Sequence, residues 1–130
     1  MPAGIVSLAM RLAAVAAGST CRLTHHGRRS GAPYQVTIWF LVDGETVYLA
    51  TAKRTRQWVR NVRARPDVAL RIGAETFTGT GEPVTDPAEA RHVMDLVVGK
   101  YWYLRPFVGL ARLVGFDPTP DASFRVRLQP

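Results

Sequence analysis

Residues 21–42, CRLTHHGRRSGAPYQVTIWFLV, decide the fold. Cys21, Leu23 and His25 alternate with Arg22, Thr24 and His26, and beyond Gly31 the set Val36/Ile38/Phe40 alternates with Thr37/Trp39/Leu41. Period-two alternation is the mark of a strand with two unlike faces, so two strands flank the turn Gly27-Arg28-Arg29-Ser30-Gly31. Its outer glycines let the backbone approach a bound group closely or take positive φ, and the enclosed residues offer two guanidinium forks, a hydroxyl and free backbone N–H groups. Such a turn serves either as an anion cradle or as a solvated basic hairpin. Residues further along the chain separate the two.

Before this stretch, Ile5, Leu8, Leu12 and Val15 fall at helical spacing in an alanine-rich run ending at Gly18, which predicts an opening helix, within residues 1–18, packed on the sheet. The run Ile5 to Ala17 lacks a positive segment before it, is interrupted by Arg11 and is too short to span a bilayer, so it reads as mature protein, with membrane-surface contact as an alternative. After the second strand, over 34–42, Asp43-Gly44 is a two-residue hairpin signal leading into a third over 46–52, a meander of three. From Lys53 to Arg65 the period changes: Trp58, Asn61 and Val62 share one face, Arg56, Arg60 and Arg63 another, and Pro66 ends a short basic helix.

Residues 67–72 and 76–84 read as a second hairpin, with Gly79 and Gly81 marking a bulge or a close approach. Asp86-Pro87-Ala88-Glu89 opens a helix to about Lys100, with Asp at the N-cap and Pro at the first helical position. Four aromatics between Tyr101 and Phe107 lead into a short helix over 107–114, and alternation over 123–128 supplies a last strand. This order predicts one α+β domain over residues 1–130, mainly β: a six-stranded antiparallel barrel with helices at its openings.

The 130 residues carry a net charge of +7, and 15 of the 17 basic residues are arginine. Such a charge favours anionic partners, phosphates, nucleic acid or a membrane surface, without choosing among them, and a GC-rich genome accounts for most of the arginine bias. The single cysteine, Cys21, excludes an intrachain disulfide, and three histidines without Cys or carboxylate at ligand spacing predict no metal site. A cytoplasmic location is expected.

The combination Leu23-Thr24-x-x-Gly27-Arg28-Arg29-Ser30-Gly31, Trp39-Phe40-x-x-Asp43-Gly44, Val47-Tyr48-Leu49-Ala50 and Trp58-x-x-Asn61-Val62-x-x-x-Pro66-x-Val68 resembles the deazaflavin-dependent oxidoreductases, nitroreductase-like members of the split β-barrel group that also holds the pyridoxamine phosphate oxidase-like flavoproteins. The likeness runs from about Leu23 to the end. It implies a split barrel, a reduced deazaflavin coenzyme (factor 420) as hydride donor, a small electron-poor acceptor and often a homodimer. Carried over by position, it puts the coenzyme's phosphate and acidic tail on Arg28, Arg29 and Ser30, strand contacts near the ring on Thr37 and Trp39, contacts after the third strand on Ala52 and Lys53, and helix contacts on Trp58 and Asn61. The residues themselves agree, because a helix starting near Thr55 aims N–H groups, with Lys53, Arg54 and Arg56, at phosphate. Two positions depart from the family pattern: Arg54-Thr55-Arg56 replaces a Gly-Gly loop, and Arg29 stands where lysine is common.

FMN in place of the deazaflavin, a non-enzymatic coenzyme or haem carrier, and a nucleic-acid-binding module are the rival readings. Against the last, the arginines are spread over every element and the sheet lacks paired stacking aromatics, so no nucleic-acid partner is expected. No catalytic residue is assigned: no nucleophile stands beside a base, His25 and His26 read as structural strand residues, and Tyr48 and Thr24 are both open as proton sources. The aromatic run and the opening helix offer more apolar surface than one small barrel covers, which predicts a homodimer.

Overall fold

The expected second strand is interrupted, and the interruption falls between the two edges of a curled sheet. In the computed structural model, which describes residues 7–115 and 120–129, β1 (Cys21–His26) pairs antiparallel with β2 (Pro33–Ile38), while β3 (Phe40–Asp43) pairs with β4 (Thr46–Thr51). With β5 (Asp67–Ile72), β6 (Glu75–Pro83) and β7 (Ala122–Leu128), the strands form one antiparallel sheet in the order β2-β1-β5-β6-β7-β4-β3. Its two edges, β2 and β3, are consecutive in the chain and joined through Trp39 alone, so the sheet curls back on itself. Seven strands therefore replace the six expected, and the three-strand meander becomes two hairpins at opposite edges. The physical reason lies at Phe40, whose carbonyl accepts from Lys100 Nζ at 2.8 Å and from the Tyr101 hydroxyl at 3.4 Å. Beside it the Trp39 ring stacks on Tyr101, centroids 4.1 Å apart.

The inner face is filled by the alternating residues. Leu23, Phe40, Val47, Leu49, Leu70, Ile72, Phe77, Phe124 and Val126 are all sealed from solvent, each such side chain stabilising by about 1.5–3 kcal/mol. Helix α1 (Leu8–Val15), capped by Ser7 Oγ accepting from the Met10 N–H, adds Leu12 to this core; Ile5 lies outside the described residues. Helix α2 (Gln57–Ala64) adds Val59 and Val62, and it seats closely because Gly81 has no Cβ: one built there would stand 2.8 Å from Val62. Gly79 likewise admits β7, since a Cβ would lie 2.3 Å from the Arg127 carbonyl oxygen; the strand pairing continues through it, so close approach and not a bulge explains the glycine.

The outer face of β3 and β4 is covered too. Leu41 and Tyr48 point away from the barrel and pack with Val93 and Tyr101 under α3 (Pro87–Lys100), whose N-cap Asp86 accepts from the Ala88 N–H. A 3₁₀ turn (Trp102–Leu104) and α4 (Arg105–Leu113) follow, with Trp102, Phe107, Leu110 and Leu113 between 59% and 83% exposed. Among the described residues no helix is long and apolar enough to cross a membrane.

Candidate functional site

The turn between β1 and β2 is tied to itself. Gly27 N–H donates to the Ala32 carbonyl and Gly31 N–H to the Gly27 carbonyl, both at 2.8 Å, and Ser30 Oγ accepts from the Ala32 N–H at 3.1 Å. Gly31 takes φ +73°, a conformation that disfavours any side chain, and a Cβ at Gly27 would press to 2.8 Å from Ser30 Oγ. Both glycines are therefore required by the turn's shape.

Helix α2 delivers the opposite wall. It starts at Arg56 with no side-chain cap and no acidic residue in its first turn, so among the described residues no side chain caps its leading N–H groups. Asn61, one turn in and only 5% exposed, joins helix to turn. Its Oδ1 accepts from the Arg28 N–H at 3.2 Å and from the Arg28 guanidinium at 2.8 Å, and its Nδ2 lies 3.1 Å from His25 Nδ1 on β1. Arg28 also donates to Gln57 Oε1 at 2.9 Å.

Between these walls lies a cleft of about 770 Å³. Arg28, Arg29, Ser30, Arg56, Trp58 and Asn61, all singled out from the sequence, line it together. The other five do not. Thr37 accepts from Arg22 at 3.0 Å, Trp39 lies against Tyr101, Arg54 is engaged bidentately by Asp121, and Ala52 and Lys53 are exposed beside it. Sequence reasoning named Gly27 only as a bracket of the turn and His25 only as a structural residue, and it passed over Tyr34, Gln35, Val36 and Gln57; these six complete the lining. His25 carried a signal: it continues the inward set Cys21, Leu23, and a buried imidazole at the lip of a basic turn needs a partner.

Among the residues lining the cleft there is no carboxylate, so its charge is wholly basic. Burial, then the neighbouring His26, holds the His25 imidazole below the ordinary histidine range. Tyr48 is not among the residues lining this cleft: its hydroxyl donates to Glu89 at 2.9 Å under α3, and burial first, then that bond, pushes it up to about 12. Among the described residues no three His, Cys, Asp or Glu side chains gather to hold a metal ion. Arginine forks, helix N–H groups, the hydroxyls of Ser30 and Tyr34 and the indole of Trp58 form a donor set that fits a flat heterocycle with an anionic tail.

Comparison with known proteins agrees with this architecture. A putative pyridoxamine 5'-phosphate oxidase from Listeria innocua superposes with a TM-score of 0.66 at 15% identity, covering 95% of each chain. A structure described as F420-H2 Dependent Reductase (FDR-A) gives 0.62 at 20% identity, over 83% of this chain and 93% of that one. In sequence, the F420H(2)-dependent quinone reductase Rv1261c of Mycobacterium tuberculosis is 30% identical over 71 residues, 50% of this chain and 48% of that protein. This chain thus spans about half the length of the curated relatives it matches. The profile of the F420H(2)-dependent quinone reductases matches residues 10–103, a span that holds both walls of the cleft, and the chain belongs to that family.

Proposed function

We propose that this chain is a deazaflavin-dependent oxidoreductase, passing a hydride from reduced factor 420 to a small electron-poor acceptor of quinone, nitro or enone type. The observation that carries the reading is that the family match covers every residue lining the basic cleft. Arg28, Arg29 and Arg56, with the leading N–H groups of α2, hold the phosphate and carboxylate tail; Ser30 offers its hydroxyl, and Trp58 and Asn61 border the ring. We assign the coenzyme to these six residues and not to Thr37, Trp39, Ala52, Lys53 or Arg54. The bound coenzyme supplies the hydride. The protein's part is positioning: it fixes one face of the ring and leaves the other to the acceptor, turning a bimolecular encounter into an oriented one. The setting is cytoplasmic, and the protein works as a homodimer whose contact uses the exposed aromatic and aliphatic side chains of residues 102–114.

The test is anaerobic titration with factor 420, followed by its fluorescence, and then oxidation of the reduced form by a soluble quinone. Saturable binding and quinone-dependent oxidation are expected, with FMN binding more weakly. Tighter binding of FMN, or no binding of either, overturns the reading. Light scattering at micromolar concentration reports the dimer, and a monomeric mass counts against it.

A further inference from the structure

The hydrogen bonds around Asn61 fix more than its own orientation. Because Oδ1 accepts both the backbone N–H and the guanidinium of Arg28, the amide can be placed only one way round, with Nδ2 facing His25. Nδ2 is a donor, so His25 Nδ1 must be the acceptor and the ring proton sits on Nε2. That proton has no partner among the described residues. The one side-chain nitrogen or oxygen there that is both sealed from solvent and unpartnered is Arg125 Nε, so His25 Nε2 reaches the solvent of the cleft its ring lines. His25 is otherwise 5% exposed, and its ring stacks on Tyr34 at 5.9 Å, which holds its plane.

We propose that His25 is a binding residue of the cleft, a neutral imidazole whose Nε2–H donates to an acceptor oxygen or ring nitrogen of the coenzyme's heterocycle. This rests on the coenzyme reading above and adds to it an uncharged, buried ring N–H donor. The titratable and charged groups that share the cleft with His25 are Arg28 and Arg29 from the turn, Arg56 from α2 and the Tyr34 phenol from β2, and His26 stands beside it in β1; none is a carboxylate that would hold a proton on the ring, and His26 disfavours its charged form. Burial acts in the same direction. A charged donor such as arginine binds phosphate and carboxylate, whereas a desolvated neutral N–H suits a carbonyl or aza nitrogen, which is what a flat redox heterocycle presents. Asn61 is then a positioning residue for two donors at once, Arg28 for the tail and His25 for the ring.

Nitrogen-15 NMR of the histidine side chains in the wild-type protein, without coenzyme, reads the ring directly. At pH 7 it should show His25 neutral with the proton on Nε2; a cation, or a proton on Nδ1, overturns the proposal. Titration with oxidised factor 420 gives the second reading. His25→Phe keeps the ring and its stacking but removes both nitrogens, and should weaken binding about three- to tenfold, the worth of one neutral hydrogen bond. His25→Gln, whose amide nitrogen can occupy the place of Nε2, should restore most of that loss. Equal affinity of His25→Phe and wild type overturns this inference alone, whereas failure of the wild type to bind overturns the coenzyme reading with it.

Discussion

Replacing Asn61 by leucine should separate what holds the cleft together from what fills it. The side chain makes three hydrogen bonds, and leucine makes none. Of the groups released, His25 Nδ1 belongs to a buried side chain and loses its one partner among the described residues, which costs about 1–3 kcal/mol. The Arg28 N–H and guanidinium are half-buried, so water takes over much of their bonding and each adds under about 0.5 kcal/mol. A net destabilisation of roughly 2–3 kcal/mol corresponds, for a domain of this size, to a Tm lower by about 8–12 °C. Gln57→Ala is the control: it removes one solvent-exposed bond to the same guanidinium and should leave Tm nearly unchanged.

The decisive measurement is a double-mutant cycle by urea denaturation. His25→Phe alone strands Asn61 Nδ2, and Asn61→Leu alone strands His25 Nδ1, but the double variant strands neither. It should therefore be more stable than the sum of the single losses by about 1–2 kcal/mol. Strict additivity would refute the claim that the buried pair, and not simply tight packing at Asn61, accounts for the loss.

Arg28→Ala and Arg29→Ala should each weaken factor 420 binding roughly ten- to a hundredfold in fluorescence titration, one charge-assisted bond being worth about 1.5–3 kcal/mol; unchanged affinity in both would sink the cradle. Cys21 is 3% exposed and burial pushes its thiol up to about 12, so iodoacetamide at pH 8 should label it only in denaturant, and rapid labelling of the native protein would contradict its placement in the core. Burial lowers Lys100 to about 8 from 10.5, so between pH 8 and 9 the unfolded chain binds more protons than the folded one and stability rises with pH. The half-exposed ammonium limits this to under about 1 kcal/mol; above pH 9 Cys21, raised from 9.0 to about 12, opposes it, and Lys100→Met should flatten the rise in urea denaturation.

The sequence announced most of the elements because each was written in one local code. Alternation gave β1 and β5, Asp43-Gly44 gave the β3–β4 hairpin, where Gly44 takes φ +62°, and Asp86-Pro87 gave the start of α3. The break at Trp39 was not legible, because Val36, Ile38 and Phe40 keep their inward period straight through it. What occupies the backbone there is a lysine and a tyrosine 60 and 61 residues further on, both donating to the Phe40 carbonyl. Periodicity reports which way side chains face, and it is silent about which backbone groups find strand partners. That silence is why one long strand was expected where two edges of a sheet meet.

The same limit divided the site. Arg28, Arg29 and Ser30 were legible as a candidate cradle because glycine-bracketed donors are a local pattern; Trp58 and Asn61 were legible as one helix face, and only the family resemblance pointed them at a coenzyme. Arg54 was legible only as a charge; its removal to Asp121, 67 residues away, is a tertiary choice between two anions, one covalently present and one to be bound. His25 shows the opposite case. Read alone it was a structural histidine, and it is one, since Asn61 holds it. Yet the bond that makes it structural also assigns its proton, and the assignment points the remaining N–H into the cleft. Structural and binding roles are thus not rivals at this position: the first fixes the tautomer on which the second depends.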